Sequence, residues 1–149
     1  MKLYIDTSVF GGYFEKEFEF WSKKLIHSII DGDYTAVVSD ITLAELIGAP
    51  DYVRELADRV ISENAEFIEA GTEAKELANH YVKEKIVTPK FQSDALHIAL
   101  ATIEKIDVVI SWNFKHIVNL NRIRLYNSVN LKYGYSVIEI RSPRELTEK

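Results

Sequence analysis

The chain begins MKLYIDTSVF, residues 1–10, and the reading of this stretch decides how the rest is understood. Leu3, Tyr4 and Ile5 are strand formers, yet the run stops on Asp6 and is followed at once by the hydroxyls of Thr7 and Ser8. An ionised carboxylate at the end of a buried strand has to be solvated, used as a cap, or bound to a cation. Similar apolar, β-branched runs recur at Ala36–Val38, Val108–Ile110 and Val137–Ile140, with a weaker one at Glu66–Ile68, which predicts five strands. Helix-length stretches lie between them: about Phe18–Ile30, Ile41–Ile47, Tyr52–Glu63, Thr72–Lys83, Ser93–Lys105 and Leu120–Leu131. Strands that alternate with helices predict an α/β fold with a mainly parallel sheet covered on both faces. In such a sheet the ligand crevice opens beyond the carboxyl ends of the strands, where the strand order reverses. Polar residues that directly follow apolar strands are therefore the candidates for chemistry: Asp6 to Ser8, Ser39-Asp40, and Ser111-Trp112-Asn113.

With 149 residues and 47% hydrophobic content, the chain supports one domain with a substantial core, residues 1–149. There is no cysteine, so disulfides and thiolate metal sites are excluded and any metal would need oxygen or imidazole ligands. The N-terminus lacks the order of a secretory signal and no apolar run approaches membrane-spanning length, so a cytoplasmic protein with no membrane partner is expected. The net charge of −5 argues against indiscriminate nucleic-acid binding. That average hides a split: residues 1–114 carry 11 basic and 20 acidic side chains, whereas residues 115–149 carry 7 basic and 3 acidic. A basic segment of this kind is commonly a solvated face, but it could also stand beside an acidic pocket, as a phosphate-cutting site needs.

Two further stretches carry acids. In SDITLAELIG, residues 39–48, Asp40 can cap a helix and Glu45 lies inside it among apolar neighbours; a single Glu there reads first as solvent-facing. In SDALHIALATIEK, residues 93–105, nearly every side chain after Asp94 is apolar and many are small, which predicts a helix buried on most sides with Asp94 near its start. Each acid alone has a structural reading, Asp94 as a carboxylate attracted to the helix N-terminus. Together, Asp6, Glu45, Asp94 and the polar Asn113 fall at one end of a parallel sheet. Carboxylates sharing a small site repel one another and call for cations, and oxygen ligands suit magnesium or manganese. Such ions activate water and neutralise phosphoryl charge, so phosphodiester hydrolysis is the implied reaction.

The order IDTSVF, SDITLAEL, SDALHIALA and DVVISWNFKHI resembles the PIN domain, a small metal-dependent nuclease fold that includes the VapC-type toxins of toxin–antitoxin pairs. The likeness runs from about Lys2 to Ile140. It implies a three-layer α/β/α sandwich whose central sheet has five strands in the order 3-2-1-4-5, an acidic pocket for Mg2+ or Mn2+, and RNA, single-stranded or structured, as substrate. Carried over by position, Asp6, Glu45 and Asp94 match the family's acidic residues, and Thr7 or Ser8 matches the polar residue beside the first acid. The family commonly has an aspartate shortly after strand four, where this chain has Asn113. An amide oxygen can still ligate or orient a water but brings no charge, which weighs against a tightly held second metal.

Other phosphate-handling enzymes fit less well. Haloacid-dehalogenase phosphatases carry D-x-D after the first strand, and here the second acid is replaced by Ser8; a receiver domain lacks its acidic pair; Gly11-Gly12 has neither the spacing nor the lysine of a P-loop. The rival of a different class is a PIN-like module that binds RNA or protein without cutting, for which Asn113 speaks. His97 shares a helix face with Asp94 and reads as a buried, hydrogen-bonded imidazole rather than a ligand. Trp112 and Phe114 read as core, with base stacking as the alternative. Lys115, Arg122 and Arg124 are the candidates for RNA backbone contacts. Phe18, Phe20, Trp21, Leu56, Val60, Leu77 and Tyr81 lie on helical stretches as core residues; any left exposed would serve a homodimer or an antitoxin partner, as the resemblance implies.

Overall fold

A computed structural model describes residues 1–148. Five strands, β1 (Lys2–Ile5), β2 (Thr35–Ser39), β3 (Ala65–Ile68), β4 (Val108–Ile110) and β5 (Glu139–Arg141), form a single parallel sheet in the order β3-β2-β1-β4-β5. Helices α1 (Thr7–Gly12), α2 (Glu19–Ile30), α3 (Asp40–Ile47), α4 (Asp51–Asn64), α5 (Thr72–Lys83), α6 (Gln92–Ile103), α7 (Leu120–Lys132) and α8 (Pro143–Thr147) connect and cover it. This is the α/β arrangement that the pattern of the sequence predicts and the strand order that the resemblance implies.

The alternation of side chains along β1 divides the core. Leu3 and Ile5 point into a cluster with Val9, Phe10, Leu25 and Ala57 from α1, α2 and α4, while Tyr4 points into the opposite cluster with α5, α6 and α7. Central strands of a parallel sheet are buried on both faces, which is why β1 and β4 read as continuous apolar runs. Helix α6 is buried from Ala95 to Thr102 except at Leu96, in keeping with its small apolar residues.

Some boundaries differ from the sequence reading. The sequence pattern does not predict helix α1, because a six-residue segment ending in Gly11-Gly12 has poor helix propensity; burial of Val9, Phe10 and Gly12 outweighs that deficit. Helix α8 also lies outside the predicted helices: it is short, and Ser142 and Glu145 form a reciprocal capping box at its start. The last strand is Glu139–Arg141 rather than Val137–Ile140, and Val137 is exposed. Asp40 does not cap α3. That role falls to Ser39, whose Oγ accepts the Thr42 N–H at 3.3 Å, and Asp40 instead accepts the Ala70 N–H at 3.0 Å.

Candidate active site

Parallel register fixes where the strand-end residues meet. Ile5 pairs with Ile110, and the Asp6 N–H continues the ladder to the Ile110 carbonyl at 3.0 Å, so Asp6 and Ser111 emerge side by side. Asp6 is the N-cap residue of α1 by backbone position, but its carboxylate makes no capping bond. It is buried, and its Oδ2 accepts hydrogen bonds from Ser8 Oγ at 2.7 Å and Ser111 Oγ at 2.8 Å. Both hydroxyls are held in turn: Ser8 Oγ accepts the Trp112 N–H at 3.0 Å and Ser111 Oγ accepts the Asn113 N–H at 2.9 Å. A single oxygen of Asp6 is thus clamped, and Oδ1 is left for the site.

Glu45 does not face solvent as the isolated helix suggested. Its Oε1 accepts from Thr7 Oγ1 at 2.8 Å and lies 2.6 Å from His97 Nε2, and its Oε2 accepts from Ser93 Oγ at 3.1 Å. Burial by itself would raise its carboxyl, but the bonds from His97, Thr7 and Ser93 outweigh it and hold Glu45 below the usual carboxylate range.

His97 has no solvent exposure. Its Nδ1 lies 2.6 Å from Tyr4 Oη, which is 2.7 Å from Ser39 Oγ. A relay with Ser39 donating to Tyr4, Tyr4 to Nδ1, and Nε2–H to Glu45 satisfies every member. Burial pulls the imidazole down, yet the Glu45 bond and the charges of Asp6 and Asp94 overcome it and raise its proton affinity. Ligand atoms of Asp6, Glu45 and His97 lie within 4.8 Å of one another. Both nitrogens of His97 are already engaged, so it orients Glu45 first. Sequence reasoning left it off the ligand set; the signal available was a lone imidazole inside an otherwise apolar buried helix.

Asp94 completes the cleft from α6. Burial, followed by the negative charge of Asp6 and Glu45, pushes its carboxyl up to about 6. A cavity of about 360 Å³ is lined by Asp6, Thr7, Ser8, Glu45, Asp94 and Asn113, with Phe18 and Trp112 as its apolar wall. All the acidic and auxiliary residues named from the sequence therefore reach one cleft. The Oδ1 of Asn113 accepts the His116 N–H at 2.9 Å, so part of its capacity as an oxygen ligand is used by the turn. Lys115, Arg122 and Arg124 do not line this cleft. Lys115 and Arg124 are exposed, and Lys115 and Arg122 stand near His116, where burial first and then their charges lower the imidazole.

The donor set suits a hard divalent cation: carboxylate oxygens predominate, and a carboxyl pushed up to about 6 first by burial and then by the charges of Asp6 and Glu45 is one that a bound cation would return to its ionised form.

A family model described as PIN domain matches residues 3–115. The chain belongs to the PIN domain family. The PIN match spans β1 through the turn after β4 and so includes every acidic residue of the cleft. The fold of this PIN domain is similar to a chain in the crystal structure of VapBC2 from Rickettsia felis bound to a DNA fragment from their promoter, with a TM-score of 0.59 at 15% identity, covering 95% of this chain and 98% of that one. No curated protein matches the chain by sequence. No helix among the described residues is long and apolar enough to cross a membrane.

Proposed function

We propose that this PIN domain is a metal-dependent endoribonuclease that hydrolyses phosphodiester bonds of single-stranded or structured RNA. The observation that carries the reading is the meeting of Asp6, Glu45 and Asp94, from three separate elements, on one cleft at the carboxyl end of the sheet. Asp6, Glu45 and Asp94 would hold Mg2+ or Mn2+, which when bound supplies an activated water and neutralises charge on the phosphoryl group. The chain's own residues prepare that cleft. Ser8 and Ser111 fix Asp6, Thr7 and His97 keep Glu45 ionised and oriented, and Phe18 and Trp112 close one side to water.

The likeness of fold to a VapBC2 chain supports a role as the toxin of a toxin–antitoxin pair. Leu56, Val60, Leu77 and Tyr81 are core, but Phe20 is exposed, and so are Leu43, Ile47, Tyr52 and Phe14, the last packed edge-on to Tyr52 at 4.7 Å. These residues support an antitoxin contact or a homodimer.

A second reading rests on Asn113: a PIN domain that binds RNA or protein without cutting. Incubating the protein with a mixed RNA pool in manganese and in EDTA separates the two. Manganese-dependent fragments that disappear in Asp6→Asn support the nuclease; identical fragments, or none, from both proteins support the binding module.

A further inference from the structure

The acidic cleft continues past its apolar wall. Phe18 and Trp112 also border a second cavity of about 410 Å³, which shares Phe114 and Glu145 with a third of about 350 Å³. The three cavities adjoin through these shared walls and together outline a trough. Its middle is aromatic: Phe18 stacks on Trp112 with ring centroids 4.5 Å apart, and Phe114 lies 6.0 Å from Trp112 and 6.4 Å from Phe18. Trp112 is buried and pinned by its Nε1–H to Ser22 Oγ at 2.8 Å, so the platform is rigid. Phe114 is 49% exposed, more than core packing of a phenyl accounts for.

Arg141 lines the third cavity and Arg144 the middle one. Both come from the basic segment after residue 114, and each is paired with an exposed carboxylate, Glu139 and Glu148. Exposed pairs of this kind are weak and readily exchanged for another anion. Glu17 and Glu145 line the middle cavity and Glu145 the third as well, so the phosphates of a bound strand would have to approach the arginines rather than these carboxylates.

We propose that this trough binds the RNA strand flanking the scissile bond, with one nucleobase stacked on Phe114 and the backbone phosphates facing Arg141 and Arg144. The proposal deepens the ribonuclease reading and rests on it for the class of polymer. A strand with its phosphodiester at the carboxylates reaches the Phe18–Trp112 wall directly, and the rings beyond it offer π-faces that any base can use. A polypeptide would also find apolar surface here. The sequence of carboxylates, fixed rings and arginines matches a polyanion carrying aromatic bases more closely.

The test is an anisotropy titration of the full chain with a fluorescein-labelled single-stranded hexaribonucleotide in EDTA, which reads binding without cleavage. Phe114→Ala should bind about 10-fold more weakly, within the range that stacking on one aromatic ring provides. Phe114→Trp should restore affinity, and Arg144→Gln should reduce the slope of log affinity against log salt by about 0.7. Phe114 is half exposed, so an unchanged melting curve is expected and checks the variant's fold. Binding by a folded Phe114→Ala that equals wild type overturns the proposal, as does absence of wild-type binding; loss of a polypeptide partner in that variant with RNA affinity unchanged gives the trough to protein. Phe114-dependent binding without manganese-dependent cleavage supports the trough and refutes the ribonuclease reading alone.

Discussion

His97 Nε2 lies 2.6 Å from Glu45 Oε1 and 3.7 Å from Asp6 Oδ1, so an imidazole without solvent exposure stands between two carboxylates from different elements. The same ring reaches Tyr4 Oη at 2.6 Å through its other nitrogen. Core and cleft are therefore linked by one side chain, and the orientation of Glu45 depends on a residue that never reaches the surface.

Replacing His97 with Ala should leave the Tyr4 hydroxyl and Glu45 short of partners. Tyr4 keeps Ser39 and Glu45 keeps Thr7 and Ser93, so the loss is that of two hydrogen bonds at about 0.5–1.5 kcal/mol each together with the cavity left by the imidazole, roughly 2–4 kcal/mol in all. For a chain of this size that corresponds to a fall in Tm on the order of 5–10 °C. His97→Gln, which keeps a donor toward Glu45, should recover part of it. Equal Tm values for wild type and His97→Ala by calorimetry would contradict the relay.

Asp94 makes the metal-free protein sensitive to pH. Its folded pKa is raised to about 6, above the unfolded value of about 3.9. Its protonated form is favoured by folding, so the stability linked to it is fully present below about pH 4. That stability is lost as pH rises toward 6. His97 is also raised and its contribution is lost at higher pH, above its unfolded value of about 6.5. Glu45 is lowered, so its contribution is present above about 4.3 and lost in acid. Melting in EDTA should show a decline from pH 4.5 to 6 that Asp94→Asn flattens, with the variant melting higher than wild type at pH 7. A steeper decline in the variant would reverse the assignment.

Manganese should invert that order. The ion stabilises wild type by binding the folded state, and it should raise the Tm of Asp94→Asn and Asp6→Asn much less. RNA cleavage in both variants is expected to drop at least about 100-fold, because a lost carboxylate removes charge stabilisation from the transition state. Rates within a factor of two of wild type in either variant would be incompatible with the cleft as the reaction centre.

Gly12 of α1 lies against Trp112 of the aromatic wall. A Cβ built there would lie 2.8 Å from Trp112 Cδ1 and Nε1 and 2.9 Å from Ser22 Oγ. Neither the buried indole nor its bond to Ser22 can give way without cost, so Gly12→Ala should destabilise by about 1–3 kcal/mol. Tryptophan fluorescence should shift as Trp112 is displaced. An unchanged emission spectrum and melting curve would show that α1 moves instead.

Much of the site was legible because it sits at element ends. Asp6 stops an apolar strand and Asp94 opens an apolar helix, so both stand out as charge where periodicity demands none. Glu45 was less legible: on its own helix it has a solvent-facing reading, and only Thr7, Ser93 and His97 from other elements turn it inward. The positions of the cations depend on the same kind of long-range packing. Lys115, Arg122 and Arg124 lie nearest in sequence to Asn113, whereas Arg141 and Arg144 are brought to the trough by β5 pairing beside β4 and by α8 packing on α2.

The amino-acid sequence alone determined the five strands, most of the helices and the acids at their ends, because periodicity and burial act over a few neighbouring residues. Tertiary structure decided what each acid touches. The bonds from Ser111 to Asp6, His97 to Glu45 and His97 to Tyr4 join residues 105, 52 and 93 positions apart. Their existence depends on strand register and on how α6 lies across the sheet, and no local pattern encodes either.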